Sequence, residues 1–261
     1  MPKAKSAPKK PAKVAAAPMS LQDVMKALEK AGSAQTRKTY ARHGAPEPMF
    51  GVSFATLKTL YKRIGVDQKL AEALWSTKNF DALNLAVKIA DPANISSKEL
   101  DRWAATPTAP MCGAYVAHLA AESPHGRAKA DKWLGASDEP TRHAAWSLVG
   151  ALARIDESIA DSWFVERIAK IEKTIHGAPN ADRYHMNNAL IAIGGRNAAL
   201  CKAATAAAKR IGVIEVDHGD TACKTPIATE SIAKSWERAK AGGFESPAAH
   251  ERSRESMRTR C

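Results

Sequence analysis

The sequence predicts an all-α protein whose short helices stack in pairs into an α-solenoid. Two observations carry that expectation. From Leu21 to Ala239, one apolar-periodic segment of helix length follows another, with no run of strand character between them. The breaks are short and marked by Pro, Gly, Asp and Ser, as expected of stacked α-hairpins. Such a stack presents an extended surface rather than a deep pocket. The segments show no crisp repeat, which argues against a repeat class with a strict consensus.

The segments can be placed in order. Phe54, Leu57, Tyr61 and Ile64 recur at helical spacing, with Lys58 and Lys62 four apart on another face. A short helix follows over Asp67 to Trp75, then a stripe of Ala82, Leu85, Ala86 and Ile89 that stops at Asp91-Pro92. Ser96 and Glu99 give a capping signal ahead of Leu100 and Trp103. Pro107 and Pro110 interrupt before helices over Met111 to Ala121 and Gly126 to Leu134. Asp138-Glu139-Pro140 opens the helix Thr141 to Arg154, with Ala145, Leu148, Val149 and Leu152 on one face. Segments 159–175, 182–193 and 198–211 continue the series, with Gly194-Gly195 and Gly212 as stops. Thr225-Pro226 reads as the cap and first turn of a last helix running to Arg238.

Three regions emerge. Residues 1–19 hold five lysines, four prolines and no acid, the composition of a disordered basic arm. Residues 20–241 form the helical domain. Residues 242–261 are polar and charged, and read as a loose tail. The formal net charge is +12, and without the arm 34 basic residues still face 27 acidic ones. A basic body points to a polyanionic partner. The four cysteines are scattered, without a CxxC, and no run is long and apolar enough for a membrane span. That pattern excludes a disulfide framework and a zinc cluster, and gives the cytoplasm as the compartment. No cofactor or metal is expected, and the chain reads as a monomer.

A set of short signatures resembles a known family. These are Phe50-Gly51-Val52 with Leu57-Lys58, Ala73-Leu74-Trp75, Ile89-Ala90-Asp91-Pro92, Leu100-Asp101-Arg102-Trp103, and Asn188-Ala189-Leu190 with Ala192-Ile193-Gly194. Together they are similar to the AlkD-like DNA alkylation repair family, over roughly residues 40–240. The resemblance implies a solenoid of HEAT-like, armadillo-type repeats whose concave basic face grips duplex DNA, and whose glycosylase members excise alkylated purines. The run Val213 to Pro226 resembles a marker of a subgroup within that family. The glycosylase aspartate would fall at Ala114, its preceding aromatic at Pro110, and a second DNA-contacting aromatic at Ala192. The whole run from Ala104 to Ala121 contains no carboxylate, so nothing there can stabilise an oxocarbenium ion or position water. No catalytic residue is assigned.

What remains is a set able to grip a phosphate backbone. Lys58, Lys62 and Arg63 share one segment. The family's phosphate-contacting arginine would fall at His143, beside Arg142, with Trp146 as an aromatic facing DNA. Arg183, His185, Asn187 and Asn188 lie near a helix start, where backbone N–H groups also suit phosphate. Lys224 joins them from the Val213–Pro226 segment. Lys58, Lys62, Arg142 and Arg183 are expected to share one face. Asp217, His218, Asp220 and Cys223 fit either a structured turn or, with His176 or His185, a metal or nucleophile site. The remaining tryptophans, with His43 and His118, read as structural.

The leading reading is a DNA-binding HEAT-like protein without alkylpurine glycosylase activity, its partner duplex DNA, damaged or branched DNA included. An active glycosylase with a displaced carboxylate at Asp101 or Asp138 is one alternative. A protein-interaction scaffold is the other.

Overall fold

The computed structural model describes residues 18–260, so the basic arm lies almost wholly outside the described residues. Within them the chain is all helix, with no strand. The helices are α1 (Leu21–Ala31), α2 (Ala34–Arg42), α3 (Phe54–Ile64), α4 (Gln68–Ser76), α5 (Phe80–Ile89), α6 (Ser97–Ala104), α7 (Pro110–Glu122), α8 (Gly126–Trp133), α9 (Glu139–Ile155), α10 (Asp161–Thr174), α11 (Asn180–Gly194), α12 (Ala198–Ile211), α13 (Ala228–Ala241) and α14 (Pro247–Arg252). From α3 onward they alternate between two layers. Helices α3, α5, α7, α9, α11 and α13 pack each on the next to form a first layer; α4, α6, α8, α10 and α12 line its other side.

Local chemistry sets most helix starts. Ser20, Ser33, Ser53, Asp67, Asn79, Ser96, Asp138, Asn197 and Ser246 each accept from a backbone N–H of the first turn, satisfying one of its orphan donors. Two expected caps turn out differently. Ser96 caps α6, but the Glu99 carboxylate turns outward to Arg102 and to the Trp103 indole N–H. Helix α13 starts at Ala228 with no side-chain cap, because the Thr225 hydroxyl is engaged with His218.

Every residue of α5 is buried, which makes it the axis of the first half. Its Asp81 accepts from three successive backbone N–H groups, Phe50 at 2.6 Å, Gly51 at 3.0 Å and Val52 at 2.8 Å. Gly51 has φ of 80°, and a Cβ there would lie 2.6 Å from both the Arg37 nitrogen and the Ser33 oxygen. Only glycine fits that turn. Phe50-Gly51-Val52 is therefore the cradle of a buried carboxylate.

A repeat runs through the second layer after all. Asp101-Arg102-Trp103, Asp131-Lys132-Trp133 and Asp161-Ser162-Trp163 recur at thirty-residue intervals. The Trp133 indole N–H donates to Asp101 at 2.7 Å, and that of Trp163 donates to Asp131 at 2.8 Å. Asp161 instead takes the Asn197 amide at 2.9 Å. Cations from the following helix complete each carboxylate: Lys129 and Lys132 on Asp101, Arg167 on Asp131. Helices α8, α10 and α12 thus each hang from the preceding second-layer helix by a charged hydrogen bond.

Residues after Gly242, expected to be loose, are packed. Ala248 donates its N–H to Gly195 O, and Arg258 is buried with its guanidinium on Val87 O and Lys88 O, both at 2.8 Å. The polar composition misled because these arginines supply helix carbonyls with donors rather than meeting water.

Hydrogen bonds and ion pairs hold the Asp101 carboxyl down to about 2 against the opposing effect of its own partial burial, the largest single influence on it. Asp101→Asn is expected to cost roughly 2 kcal/mol, discounted for partial exposure, because it leaves buried Lys129 unpaired. Urea unfolding at neutral pH checks this. A depressed carboxyl stabilises above its unfolded value, so the gap between the two proteins should shrink as pH falls from about 4 toward 2.

Candidate nucleic-acid interface

The candidate residues fall into two groups on the first layer. On α3, Lys62 and Arg63 are exposed in the last turn and Lys58 is half-buried; among the described residues none of the three forms an ion pair. Cations at a helix C-terminus are favourably placed against its dipole and remain free to meet phosphate.

The second group gathers where α9 meets α11. Arg142 donates from Nε to Asp182 at 2.7 Å and from Nη1 to Ser137 O. His143 Nε2 meets the other Asp182 oxygen at 2.8 Å, and its ring stacks on His185 with centroids 4.4 Å apart. His185 Nδ1 contacts the Ser147 hydroxyl at 3.2 Å. Burial, helped by the His143 charge, pulls His185 down to about 3, although Asp182 acts the other way. Arg142, with Asp182 as its main partner, is held above its ordinary value. This cluster is an inter-helix tie that keeps part of one cation at the surface.

Several side chains read as DNA-facing lie beneath the surface. Trp146 is 5% exposed and packs in the core, with Lys170 Nζ 6.0 Å from its ring. His185 is buried, and so is Asn187, whose amide donates to Pro226 O at 2.8 Å. His185 and Asn187 share one reason, since α11 is covered on one side by α9 and on another by the 213–227 segment, whereas Trp146 lies on α9 and points into the core. Arg183 is half-buried with its Nε unpartnered, whereas Asn188 is half-exposed. Lys224 stands exposed on the loop.

That loop is a structured turn. Asn180 clasps Asp217 through both its amide groups, Gly219 donates to the Asp217 carboxylate at 2.8 Å, and the His218 ring meets Tyr184 edge-on. His176 is held by Ile211 O at 2.9 Å. Among the described residues no three metal-ligating side chains converge.

The two carboxylates considered as displaced acids both have structural partners. Asp101 anchors Lys129, Lys132 and Trp133, and Asp138 caps α9 through Thr141. Ala114 lies on α7, between Gly113 and Tyr115 in the sequence. No helix among the described residues is long and apolar enough to cross a membrane.

These features can be set against known proteins. The profile of a family described as DNA alkylation repair enzyme matches residues 24–212. The chain belongs to that family. Its architecture is that of the HEAT-like repeat glycosylases: a solved structure, described as a new family of proteins related to the HEAT-like repeat DNA glycosylases with affinity for branched DNA structures, aligns with a TM-score of 0.78 and 34% identity, over 87% of this chain and 97% of that one. Two family relatives are uncharacterized proteins, Lmo0209 of Listeria monocytogenes at 26% identity and Lin0241 of Listeria innocua at 24%. Each aligns over 84% of this chain, and over 97% and 96% of its own length respectively.

Sequence reading missed two things. One is the Asp-x-Trp repeat, visible as three tripeptides at equal spacing. The other is the role of Lys88 and the last residues, which carry no sequence signal because their contact spans the chain.

The buried His185 gives a pH dependence. With its folded pKa depressed to about 3, the unfolded chain binds the extra proton first. Stability should therefore fall as pH drops below about 6.5. His185→Gln should flatten that decline in urea-unfolding curves collected between neutral pH and pH 4.

Proposed function

We propose that this family member is a DNA-binding protein that grips the phosphate backbone, branched DNA included, without excising alkylated purines. It acts as a monomer in the cytoplasm. The observation that carries the reading is the combination, on one layer, of surface cations outside any ion pair among the described residues with the absence of a carboxylate from Ala104 to Ala121. Lys58, Lys62 and Arg63 on α3, the outer part of Arg142, Arg183 and Asn188 on α11, and Lys224 on the loop are the proposed contacts. The relative with affinity for branched DNA covers nearly the whole chain at 34% identity, which supports carrying that partner over. Cation-to-phosphate contacts give affinity that depends on salt and little on sequence.

Binding to a plain duplex and a four-way junction should weaken steeply between low and physiological ionic strength. Lys58→Ala, Lys62→Ala and Lys224→Ala should each lower the salt slope by about 1 without altering sequence preference. Fluorescence anisotropy across a salt series checks this, and a slope near zero would sink the reading.

Release of methylated purines from alkylated duplex should stay at or near the spontaneous rate. Loss of one preorganised electrostatic group typically costs on the order of 10²–10³ in rate, and here Ala114 stands where the charge would be. Chromatographic assay of released bases, with Asp101→Asn and Asp138→Asn beside the native chain, would expose any displaced acid.

A further inference from the structure

Helix α2 stands apart from the solenoid. It buries none of its nine residues, carries no acid, and packs broadly against no other helix. A short polar helix does not hold itself together in water, so its footing has to come from elsewhere. Ser33 caps its first turn by accepting from the Thr36 N–H at 3.2 Å, and the Ser33 N–H donates to Gly51 O at 3.0 Å. That turn lies so close to Gly51 that no side chain fits between them, and a Cβ on Gly32 would collide with the Phe50 carbonyl. One turn further on, the Tyr40 hydroxyl donates to Val52 O at 2.7 Å, and its ring meets Phe80 edge-on with centroids 5.5 Å apart. Phe50, Gly51 and Val52 are the three residues whose N–H groups buried Asp81 holds. The carboxylate cradle is therefore also the footing of α2.

All of that support comes from one side of the helix, where Thr36 and Tyr40 are half-buried. The opposite side carries Gln35, Lys38, Thr39 and Arg42, at the i, i+3, i+4, i+7 spacing of a single helix face, and all four are exposed. By the helix period, Gln35 and Arg42 run along the middle of that face, with Lys38 on one flank and Thr39 on the other. Among the described residues neither Lys38 nor Arg42 forms an ion pair. Glu47, the first acid after them in the chain, is taken by Arg37 Nε at 2.9 Å and by the Met49 N–H at 2.8 Å. A rigidly seated helix thus projects a face of one amide, one hydroxyl and two cations into solvent.

We propose that α2 lies in the major groove of a duplex arm of DNA, with Gln35 and Arg42 turned to base edges and Lys38 to a phosphate on the groove wall. Charge and shape select this occupant. An acid-free face with two cations outside any ion pair complements a groove walled by phosphate. The major groove, about 12 Å wide, admits a helix, and amide and guanidinium groups are the ones that pair bidentately with adenine and guanine edges. Support confined to one side leaves the outer face clear to enter. Helix α3 begins just past the same footing, with Ser53 as its cap, so its lysines and α2 act on one DNA. The proposal rests on the DNA-binding reading and adds to it a contact that duplex arms offer and single strands lack. The backbone contacts still supply most of the affinity.

Dimethyl sulfate tests this by reading both grooves at once, since it methylates guanine N7 in the major groove and adenine N3 in the minor groove. The full chain is bound to saturation on a plain duplex and on a four-way junction. Guanine N7 should be protected over a short stretch of an arm, and adenine N3 should not. Gln35→Ala combined with Arg42→Ala should erase that protection and weaken duplex binding about tenfold. Lys38→Ala should keep the protection and lower the salt slope by about 1. Binding to a single-stranded oligonucleotide should be the same with and without the Gln35→Ala and Arg42→Ala pair. Circular dichroism checks that each variant is folded. Gln35→Glu serves as a second probe, because an acid in the first turn favours the helix while repelling the groove walls. It should also lose the N7 protection. Protection at adenine N3, protection in neither groove, or N7 protection that survives these substitutions overturns the groove contact. Phosphate-backbone binding, still weakened by Lys62→Ala, would stand in that case. A native chain that binds no form of DNA overturns both readings. Co-sedimentation with phosphatidylserine vesicles that Gln35→Glu abolishes would then assign α2 to an anionic membrane surface.

Discussion

The indole–carboxylate ladder of the second layer is what the rest of the solenoid depends on. A stack of helix pairs has no sheet to fix the offset of one pair on the next, and apolar packing alone permits sliding. Trp133 on Asp101 and Trp163 on Asp131 remove that freedom, because an indole N–H buried without its acceptor would be costly. The lysines and arginine on the same carboxylates lock the angle between successive pairs. Trp75 and Trp103, stacked with centroids 4.3 Å apart, extend the column toward the N-terminal end with dispersion in place of charge.

Charge is therefore less available than the formula implies. Arg196 donates to Asp156 O and Ile159 O beyond the end of α9, Arg258 caps α5, and Arg167 lies 4.0 Å over the Trp163 ring. Arg142 divides itself between Asp182 and Ser137 O. These guanidiniums act as multi-toothed donors within the fold, a use lysine could not match. Exposed Lys62 and Lys224, by contrast, offer solvated ammonium groups that suit contacts without sequence preference.

The fold was legible because helix periodicity and capping residues are local signals, and Asp138-Glu139-Pro140 or Ser53 before Phe54 means the same in any context. The absence of a carboxylate from Ala104 to Ala121 could also be read directly. Burial of candidate site residues could not. Trp146 beside Arg142 and His143, like His185 and Asn187, looks like a surface group, yet Trp146 enters the core of α9's packing and only the approach of α9 and the 213–227 loop to α11 buries the other two. The C-terminal segment misled for a related reason. Its arginines look solvated until the helix carbonyls that need them, some 170 residues earlier, are brought alongside.

That distance bears on how the chain is made. Val87 and Lys88 leave the ribosome long before Arg258 is synthesised, so α5 must wait with its terminal carbonyls hydrated while the later helix pairs form behind it. Contacts this remote in sequence carry a large loop-closure cost and form late. The N-terminal half thus completes its architecture only when the segment around Arg258 returns to seal it. A fold of otherwise local design has made one remote segment the closing step of its assembly.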